Sequence, residues 1–448
     1  MITPRTIICW LLACIATGAG LPLAYGVGPL LADGVEESWN ARFQTTYIWQ
    51  SKSPFNAAYN GRNSLSPERE KSYSFTGTAF LGVRPWEGGE FYFNPEVVQG
   101  VPLSNLTGLG GLTNGEIART SGPNPKLYMA RAFLRQSWGL GEIQDAVDSG
   151  ANQLAGKIHQ RQIVLIVGKL SVTDIFDNNA YSHDPRTQFI NWSLMTAGAY
   201  DYAADARGYS WGAALEYYYD DWAFRAGRFI QPKVPNQLDL DRNVFNHYGD
   251  QIEAGHGHVL FGQPGKIRLL AFRNRTLMSR FQDALDYATL HGGVPNINNV
   301  RNGEKIKYGF GLNMEQQLIQ NVGVFARASW ADGKTETYAF TEIDNSLAAG
   351  AVVQGSAWGR TQDSVGIALV QNGLSRQRRD YLSAGGISFF IGDGALNYRP
   401  ENILETYYSL GAIKDTWLTL DYQHIHNPAY NSDRGPVSIG AIRLRGVF

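Results

Sequence analysis

Charged and aromatic side chains recur at alternate positions along the chain, a pattern that suits contact with a neutral, hydroxyl-rich solute. Guanidinium and carboxylate groups form paired hydrogen bonds with neighbouring hydroxyl groups. Both signs of charge occur, whereas an anion pathway should be mainly basic and a cation pathway mainly acidic. A solvated wall position remains an alternative for each residue, because any water-filled passage needs polar lining. The candidate solute-binding residues are Arg42, Glu96, Arg131, Arg135, Asp177, Asp184, Arg186, Trp192, Arg268 and Glu315.

Catalytic and metal-binding patterns are sparse. The one Gly-x-Ser-x-Gly match, residues 208–212, opens a predicted strand and lacks the strand-to-helix turn of a nucleophile elbow. The two cysteines, Cys9 and Cys14, both lie near the N-terminus. The pair His424 and His426 would share one face of a strand and could begin a metal site, but an interfacial position is the simpler interpretation. We therefore predict no catalytic residue, no metal, no cofactor and no enzymatic activity.

The composition indicates one ordered domain. The chain has 448 residues, of which 44% are hydrophobic and 18% charged, with a formal net charge of −1. No Pro/Ser tract or charge run marks a linker, and a large closed barrel can absorb this length as a single domain. The balanced charge argues against a nucleic-acid partner, which would require a basic face.

The N-terminus has the pattern of an export signal. Arg5 precedes the apolar stretch Thr6–Leu23, and Ala24 and Gly26 place small residues where a signal peptidase reads. Residues 1–26 are therefore predicted to be a cleaved signal peptide and residues 27–448 the mature domain. A transmembrane anchor is the alternative, but glycine and proline interrupt this short segment.

The remaining chain alternates between apolar and polar residues in short segments. Between Trp39 and Gln50, aromatic residues occupy one face of a predicted strand and polar residues the other. A soluble sandwich produces the same alternation, so a single strand does not discriminate. About sixteen such segments follow one another, most of them close to the roughly 9 to 11 residues with which a tilted strand crosses a bilayer.

The connections between these segments alternate in length. Tight turns such as Asp220-Asp221 and Lys414-Asp415 alternate with long polar loops. This is the plan of an all-β transmembrane antiparallel β-barrel with short periplasmic turns and long extracellular loops. About sixteen strands would leave an aqueous channel. The connection from Gly139 to Gln160 is too long for the pattern, which leaves open a small periplasmic helix or a miscounted strand.

The third long loop, Ser171–Arg207, is predicted to fold into the barrel and narrow the channel. Phe176, Phe189 and Trp192 give it apolar anchors that a mobile surface loop would not need. The same loop would present charged and polar side chains to a solute, namely Asp174, Asp177, His183, Asp184 and Arg186.

Several long motifs resemble the carbohydrate-selective porin family of the OprB type. The similarity covers the whole mature chain, although the residues after Pro95 match less well. The motifs that carry it are residues 168–179, 183–189, 269–275, 397–401, 417–423, 427–431 and 433–436.

This resemblance implies a sixteen-stranded outer-membrane barrel through which glucose and related sugars diffuse down their gradient. The implied partners are small carbohydrates and outer-membrane lipid, and the implied location is the bacterial outer membrane. A homotrimer and a monomer both remain open. So do three other functions: a general or other-solute porin, an outer-membrane barrel enzyme, and a soluble periplasmic sugar-binding protein.

Overall fold

A computed structural model describes residues 36–117, 119, 121–339 and 342–448. The predicted signal peptide lies outside these residues. Sixteen antiparallel strands form a closed barrel, which confirms the predicted fold. The barrel strands are β1 (Trp39–Lys52), β2 (Glu70–Trp86), β3 (Gly89–Val101), β4 (Lys126–Gly139), β7 (Gln162–Leu170), β8 (Ser210–Tyr219), β9 (Trp222–Ile230), β10 (Tyr248–Leu260), β11 (Gln263–Leu277), β12 (Glu304–Ile319), β13 (Val322–Ala331), β14 (Asn345–Gln354), β15 (Ser364–Gly373), β16 (Glu401–Ile413), β17 (Thr416–His426) and β18 (Val437–Val447).

The first and last strands close the barrel. β1 pairs with β18 from Gln44 opposite Val447 to Lys52 opposite Ile439, and its other edge pairs with β2. Every backbone group of the wall can therefore find a partner in a neighbouring strand, as a lipid environment requires. The start of β1, the C-terminus and the short turns lie at one rim, which is the periplasmic one in outer-membrane barrels, and the long loops lie at the other.

The alternation in the sequence becomes an inner and an outer face. On β1, Thr46, Ile48 and Gln50 are buried towards the lumen, whereas Trp39 and Phe43 point outward with 67% and 42% of their surface exposed. Outward aromatic residues lie near both rims: Trp138 and Trp222 near the short turns, and Trp211 and Trp330 near the long loops. Such girdles are typical of barrels whose outer surface contacts lipid.

The α-helices of the described residues are short and belong to the long loops. They are α1 (Trp192–Met195), α2 (Phe281–His291) and α3 (Arg376–Ser383). Among the described residues, none of the helices has the length and apolar character needed to cross a membrane.

The unexpectedly long connection between β4 and β7 forms a two-stranded hairpin, which we call the periplasmic hairpin (residues 140–161). Its strands are β5 (Gln144–Val147) and β6 (Gly156–His159), and they pair with each other rather than with the barrel. The expectation of a small helix at this place is therefore wrong. The alternative of a miscounted strand is also wrong, because the wall has sixteen strands and the two hairpin strands form a separate sheet.

Candidate functional site

The loop between β7 and β8, residues 171–209, crosses the inside of the barrel and is called the inner loop below. Its Arg186 bonds Glu96 on β3, with 2.9 Å between Nη2 and Oε2. On another side of the lumen, its Asp177 accepts a 2.6 Å hydrogen bond from the Asn313 amide on β12. These contacts on separate parts of the wall confirm that the loop folds inward.

Carboxylates on the wall hold the backbone of the inner loop. Glu405 accepts hydrogen bonds from the Ile190 and Asn191 N–H groups at 2.5 and 3.1 Å. Glu315 accepts one from the Ala180 N–H at 2.8 Å. A loop inside a barrel leaves its N–H groups without strand partners, and a buried unpaired N–H is costly. These acidic groups therefore stabilise the inward position of the loop.

The loop between β3 and β4, residues 102–125, is anchored in the same way. Glu401 accepts hydrogen bonds from the Gly110 and Gly111 N–H groups at 2.9 and 2.8 Å. A Cβ at Gly110 would lie 2.2 Å from the Tyr430 hydroxyl oxygen, and one at Gly111 would lie 2.2 Å from Ser193 Oγ. Only glycine allows the backbone to approach this closely.

An arginine–tyrosine cluster lies where the inner loop leaves and re-enters the wall. Arg131 on β4 forms a two-pronged ion pair with Asp174, with both N–O distances 2.6 Å, and its guanidinium lies 5.1 Å from the ring centre of Tyr209. Arg207 lies 4.3 Å from the ring centre of Tyr128. The cluster thus offers guanidinium groups, aromatic faces and carboxylates within one short stretch of the lumen.

Two large cavities lie towards opposite ends of the barrel. The outer one has a volume of about 630 Å³ and is lined by loop residues that include Arg62, Gln237 and Phe389. It adjoins the inner loop, because the Ala206 N–H donates to the Gln237 carbonyl at 3.0 Å. The inner cavity, of about 1380 Å³, includes Asp174 in its lining and faces the periplasmic rim. The arginine–tyrosine cluster adjoins the inner cavity through Asp174, and none of its named residues lines the outer cavity.

The apex of the periplasmic hairpin, residues 148–155, lies in the mouth of the inner cavity. The Asn40 amide on β1 donates to Ser149 Oγ at 3.1 Å and to the Gln153 carbonyl at 2.9 Å. The Leu154 N–H donates to the Tyr92 hydroxyl on β3 at 3.2 Å, and Leu154 is fully buried. Wall residues of two strands thus hold the apex inside the periplasmic opening.

Arginines without a carboxylate partner lie on the inner face of β18 and β1. Arg443 donates to the carbonyls of Pro185 and Gln188 at 2.7 and 2.6 Å. Arg445 bonds the Gln44 amide oxygen at 3.2 and 3.1 Å. Arg42 faces the same side, with its Nε buried and without a partner among the described residues. This basic row contrasts with the paired charges elsewhere on the wall.

Glu116 and His183, which lie in the inward loops, have shifted pKa values. Burial raises the pKa of Glu116, although the Arg186 guanidinium at 2.6 Å opposes the effect. Burial, together with the nearby Arg327 guanidinium, lowers the pKa of His183. Because His183 lines the inner cavity, it contributes a neutral imidazole there at neutral pH.

Seven of the ten predicted site residues fall into three locations, Arg42 belongs to the basic row, and Asp177 and Trp192 are described below. Arg135 and Arg268 line the inner cavity, and Arg268 pairs with Glu315 at 3.1 Å. Arg131 belongs to the arginine–tyrosine cluster. Arg186 forms the third location, because its guanidinium bonds the Glu96 carboxylate. In the same turn of the inner loop, the Asp184 carboxylate accepts a hydrogen bond from the Arg186 backbone N–H. The structure therefore distributes these residues along the lumen rather than gathering them at one point.

Asp177 and Trp192 do not contact the lumen, in contrast to the expectation for them. Asp177 is 1% exposed and Trp192 is 7% exposed. The Asp177 carboxylate accepts hydrogen bonds from the Asn313 amide, the Arg327 guanidinium and the Ala197 N–H. The Trp192 side chain packs in the interior apolar cluster. Both residues anchor the inner loop.

Residues that the sequence analysis missed include Tyr128, Lys169 and Tyr209. The pairing of β3 with β4 shifts by one residue between Asn94 and Pro95, which interrupts the alternation of inward and outward side chains on β4. Tyr128 and Arg131 therefore both point inward, although an odd number of positions, three, separates them. Pro95 is the one sequence signal for this bulge, because proline cannot donate to the strand ladder.

Comparisons with known proteins agree with this architecture. The family model described as carbohydrate-selective porin, OprB family, matches residues 82–448. The high-pH structure of Pseudomonas putida OprB superposes with a TM-score of 0.69 and 14% sequence identity, covering 92% of this chain and 94% of that chain. The low-pH structure of the same porin gives a TM-score of 0.50 and 12% identity, covering 92% and 93%.

At these identities the solved structures establish the fold alone. Comparison with curated protein sequences gives no significant match. The family model, however, spans most of the chain. The protein therefore belongs to the carbohydrate-selective porin family of the OprB type and is a β-barrel porin of the bacterial outer membrane.

Proposed function

We propose that the protein is a channel for passive, selective diffusion of small carbohydrates, glucose and related sugars among them. The observation that carries the proposal is the arginine–tyrosine cluster beside the inner cavity. A sugar in the inner cavity would lie beside the guanidinium groups, tyrosine rings and carboxylate of this cluster. These groups can replace the water bound to sugar hydroxyls and can pack against the sugar C–H face.

Transit also requires that no single contact be too strong. Arg131 is already paired with Asp174, so its guanidinium has only part of its hydrogen-bonding capacity left for a solute. Weak, repeated contacts along Arg131, Arg135 and Arg268 would allow a sugar to enter and to leave. The mixed charges of this path suit a neutral solute.

The test is single-channel current in a planar lipid bilayer while glucose is titrated. We expect stepwise conductance that falls saturably with glucose, and a weaker glucose effect in Arg131→Gln. Arg161→Gln is a matched control, because Arg161 makes the same two-pronged pair with Asp220, at 2.8 and 2.7 Å, and lies 4.4 Å from the Tyr219 ring centre. This triad is exposed at the periplasmic rim, where Asp220 lies at the mouth of the inner cavity.

A glucose effect that is equal in wild type and Arg131→Gln would contradict the assignment of the cluster. Conductance without any response to sugars would leave a porin of different selectivity. Absence of conductance in the purified, folded protein would refute the channel itself.

A second candidate is selectivity for acidic solutes. The row Arg42, Arg443 and Arg445 has no carboxylate within ion-pair distance among the described residues. Such a row would attract anions. The reversal potential in a salt gradient distinguishes the candidates: clear anion selectivity that decreases in Arg445→Gln favours the acidic solute, and weak selectivity favours the neutral sugar.

A further inference from the structure

Arginines also lie on the outer face of the barrel, near the extracellular rim. Arg228 on β9 and Arg273 on β11 alternate with residues that face the lumen, such as the buried Phe229 and Asn274. The same outward rows are apolar nearer the membrane centre, where Ile252 and Leu269 are each 60% exposed. A basic group in this position needs a physical explanation, because the surrounding surface faces lipid.

The two arginines share one carboxylate. Arg228 Nε and Nη2 bond the two Asp250 oxygens at 2.7 and 2.9 Å, and Arg273 Nη2 bonds Asp250 at 2.7 Å. Arg228 lies 3.8 Å and Arg273 5.4 Å from the ring centre of Tyr248. We call these four residues the outer arginine cluster. It carries two positive charges and one negative charge, and its arginine side chains are 40% and 49% exposed.

Unused donors point away from the shared carboxylate. Arg228 Nη1 and Arg273 Nε and Nη1 make no hydrogen bond to any described residue. The net positive charge and the free N–H groups of two planar guanidiniums match a phosphate, which accepts such paired bonds. The cluster is thus an incomplete anion site rather than a closed ion-pair network.

The depth of the cluster indicates where that phosphate comes from. Arg273 lies directly opposite Tyr308 on β12, and the Tyr308 ring contacts Trp330, with 5.8 Å between ring centres. Trp211 lies at the same rim on β8. Aromatic girdles mark the boundary between hydrocarbon and head groups, and the free-energy cost of an outward arginine is small there. The cluster therefore lies at head-group level in the outer leaflet.

We propose that the outer arginine cluster binds a phosphate of a phosphorylated glycolipid in the outer leaflet. The lipid acyl chains would lie along the apolar surface around Ile252 and Leu269, below the arginines. Binding at this place orients the lipid on β9–β11 and leaves the lumen untouched.

Native mass spectrometry of the purified porin in a nonionic detergent tests the proposal, with diphosphoryl lipid A as the titrated probe. We expect the double variant Arg228→Gln/Arg273→Gln to bind at least about tenfold more weakly than wild type. Arg161→Gln, which alters the exposed arginine–tyrosine triad of the opposite rim, should bind as wild type does.

Asp250→Asn separates a binding role from a merely structural one. It disrupts the same ion-pair network but frees both guanidiniums, so it should keep or increase lipid binding. Loss of binding in Asp250→Asn, or unchanged binding in the double variant, would overturn the proposal. Heat-dependent gel mobility shows whether each variant is folded, and Arg228→Lys/Arg273→Lys, which keeps the charge, should retain more binding than the glutamine pair.

Two further probes identify the source of the phosphate. A lipid A lacking both phosphates should lose the arginine-dependent part of the binding. Inorganic phosphate alone should neither bind stably nor displace the lipid at equal concentration. Equal binding of the phosphate-free lipid, or displacement by inorganic phosphate, would refute the lipid head-group site.

Discussion

The Asp177→Asn substitution tests whether the inner loop sets the width of the channel. Asp177 Oδ1 accepts from Asn313 at 2.6 Å and from Arg327 Nε at 3.3 Å, and its Oδ2 accepts from the Ala197 N–H at 2.5 Å. The residue has φ 59°, a conformation that asparagine also adopts readily. The change therefore alters charge and hydrogen bonding without adding backbone strain.

The magnitude follows from the burial of the pair. Breaking a buried ion pair costs about 3–5 kcal/mol. The lower end of this range applies to Asp177→Asn, because Arg327 keeps its 2.8 Å hydrogen bond to the Leu194 carbonyl and the asparagine side-chain oxygen still accepts a hydrogen bond. The NH₂ group of the new asparagine would face the Ala197 N–H, so two hydrogen-bond donors would oppose each other. A loss of about 3 kcal/mol raises the ratio of released to docked loop by about a hundredfold.

Single-channel recording measures this ratio. We expect Asp177→Asn to show openings to a larger conductance level that are rare in wild type, with a weaker glucose effect at that level. Asp220→Asn is the matched control: Asp220 also has a positive φ, 54°, and a two-pronged arginine partner, but the pair is exposed at the rim. Such pairs contribute about 0–1 kcal/mol. Identical conductance levels and occupancies in Asp177→Asn and wild type would refute the loop's role.

Two other measurements probe the periplasmic half of the lumen. Replacing residues 142–159 by a short Gly-Ser turn removes the hairpin apex from the periplasmic mouth of the inner cavity. We expect a larger single-channel conductance and an unchanged melting temperature of the barrel. Unchanged conductance would exclude the hairpin as a constriction of the channel. The lowered pKa of His183 means that the unfolded chain binds more protons below about pH 6.5, so this contribution to stability is complete above that pH and is lost as the pH falls. His183→Gln should therefore lessen the drop in melting temperature between pH 7.5 and 5, and an equal drop in both proteins would contradict the assignment.

The barrel was predictable from the sequence because its determinants are local. Alternation with period two, as in β1, fixes which face of a strand is apolar, and the alternation of short and long connections fixes the two rims. The periplasmic hairpin was less predictable: its strands pair with each other. Its apex depends on contacts with Asn40 and Tyr92, which are remote in the chain.

The inward position of the third long loop was predictable, but the roles of its residues were not. Apolar anchors such as Trp192 distinguish a packed loop from a mobile one. They do not say whether a neighbouring acid such as Asp177 faces the solute or the wall. That choice depends on Asn313 and Arg327, which reach the loop from β12 and β13.

The wall carboxylates show why alternation alone cannot identify solute contacts. Glu315 and Glu405 face the lumen, as a solute-binding group must, yet both accept backbone N–H groups of the inner loop. A channel that carries an irregular loop inside it needs such acceptors, because the loop forms no strand ladder there. Lumen-facing acids therefore divide between loop anchors and solute contacts. A wall acid whose oxygens are filled by loop N–H groups should affect the conductance through the position of the loop, whereas Arg131 should affect the response to sugar at unchanged loop position.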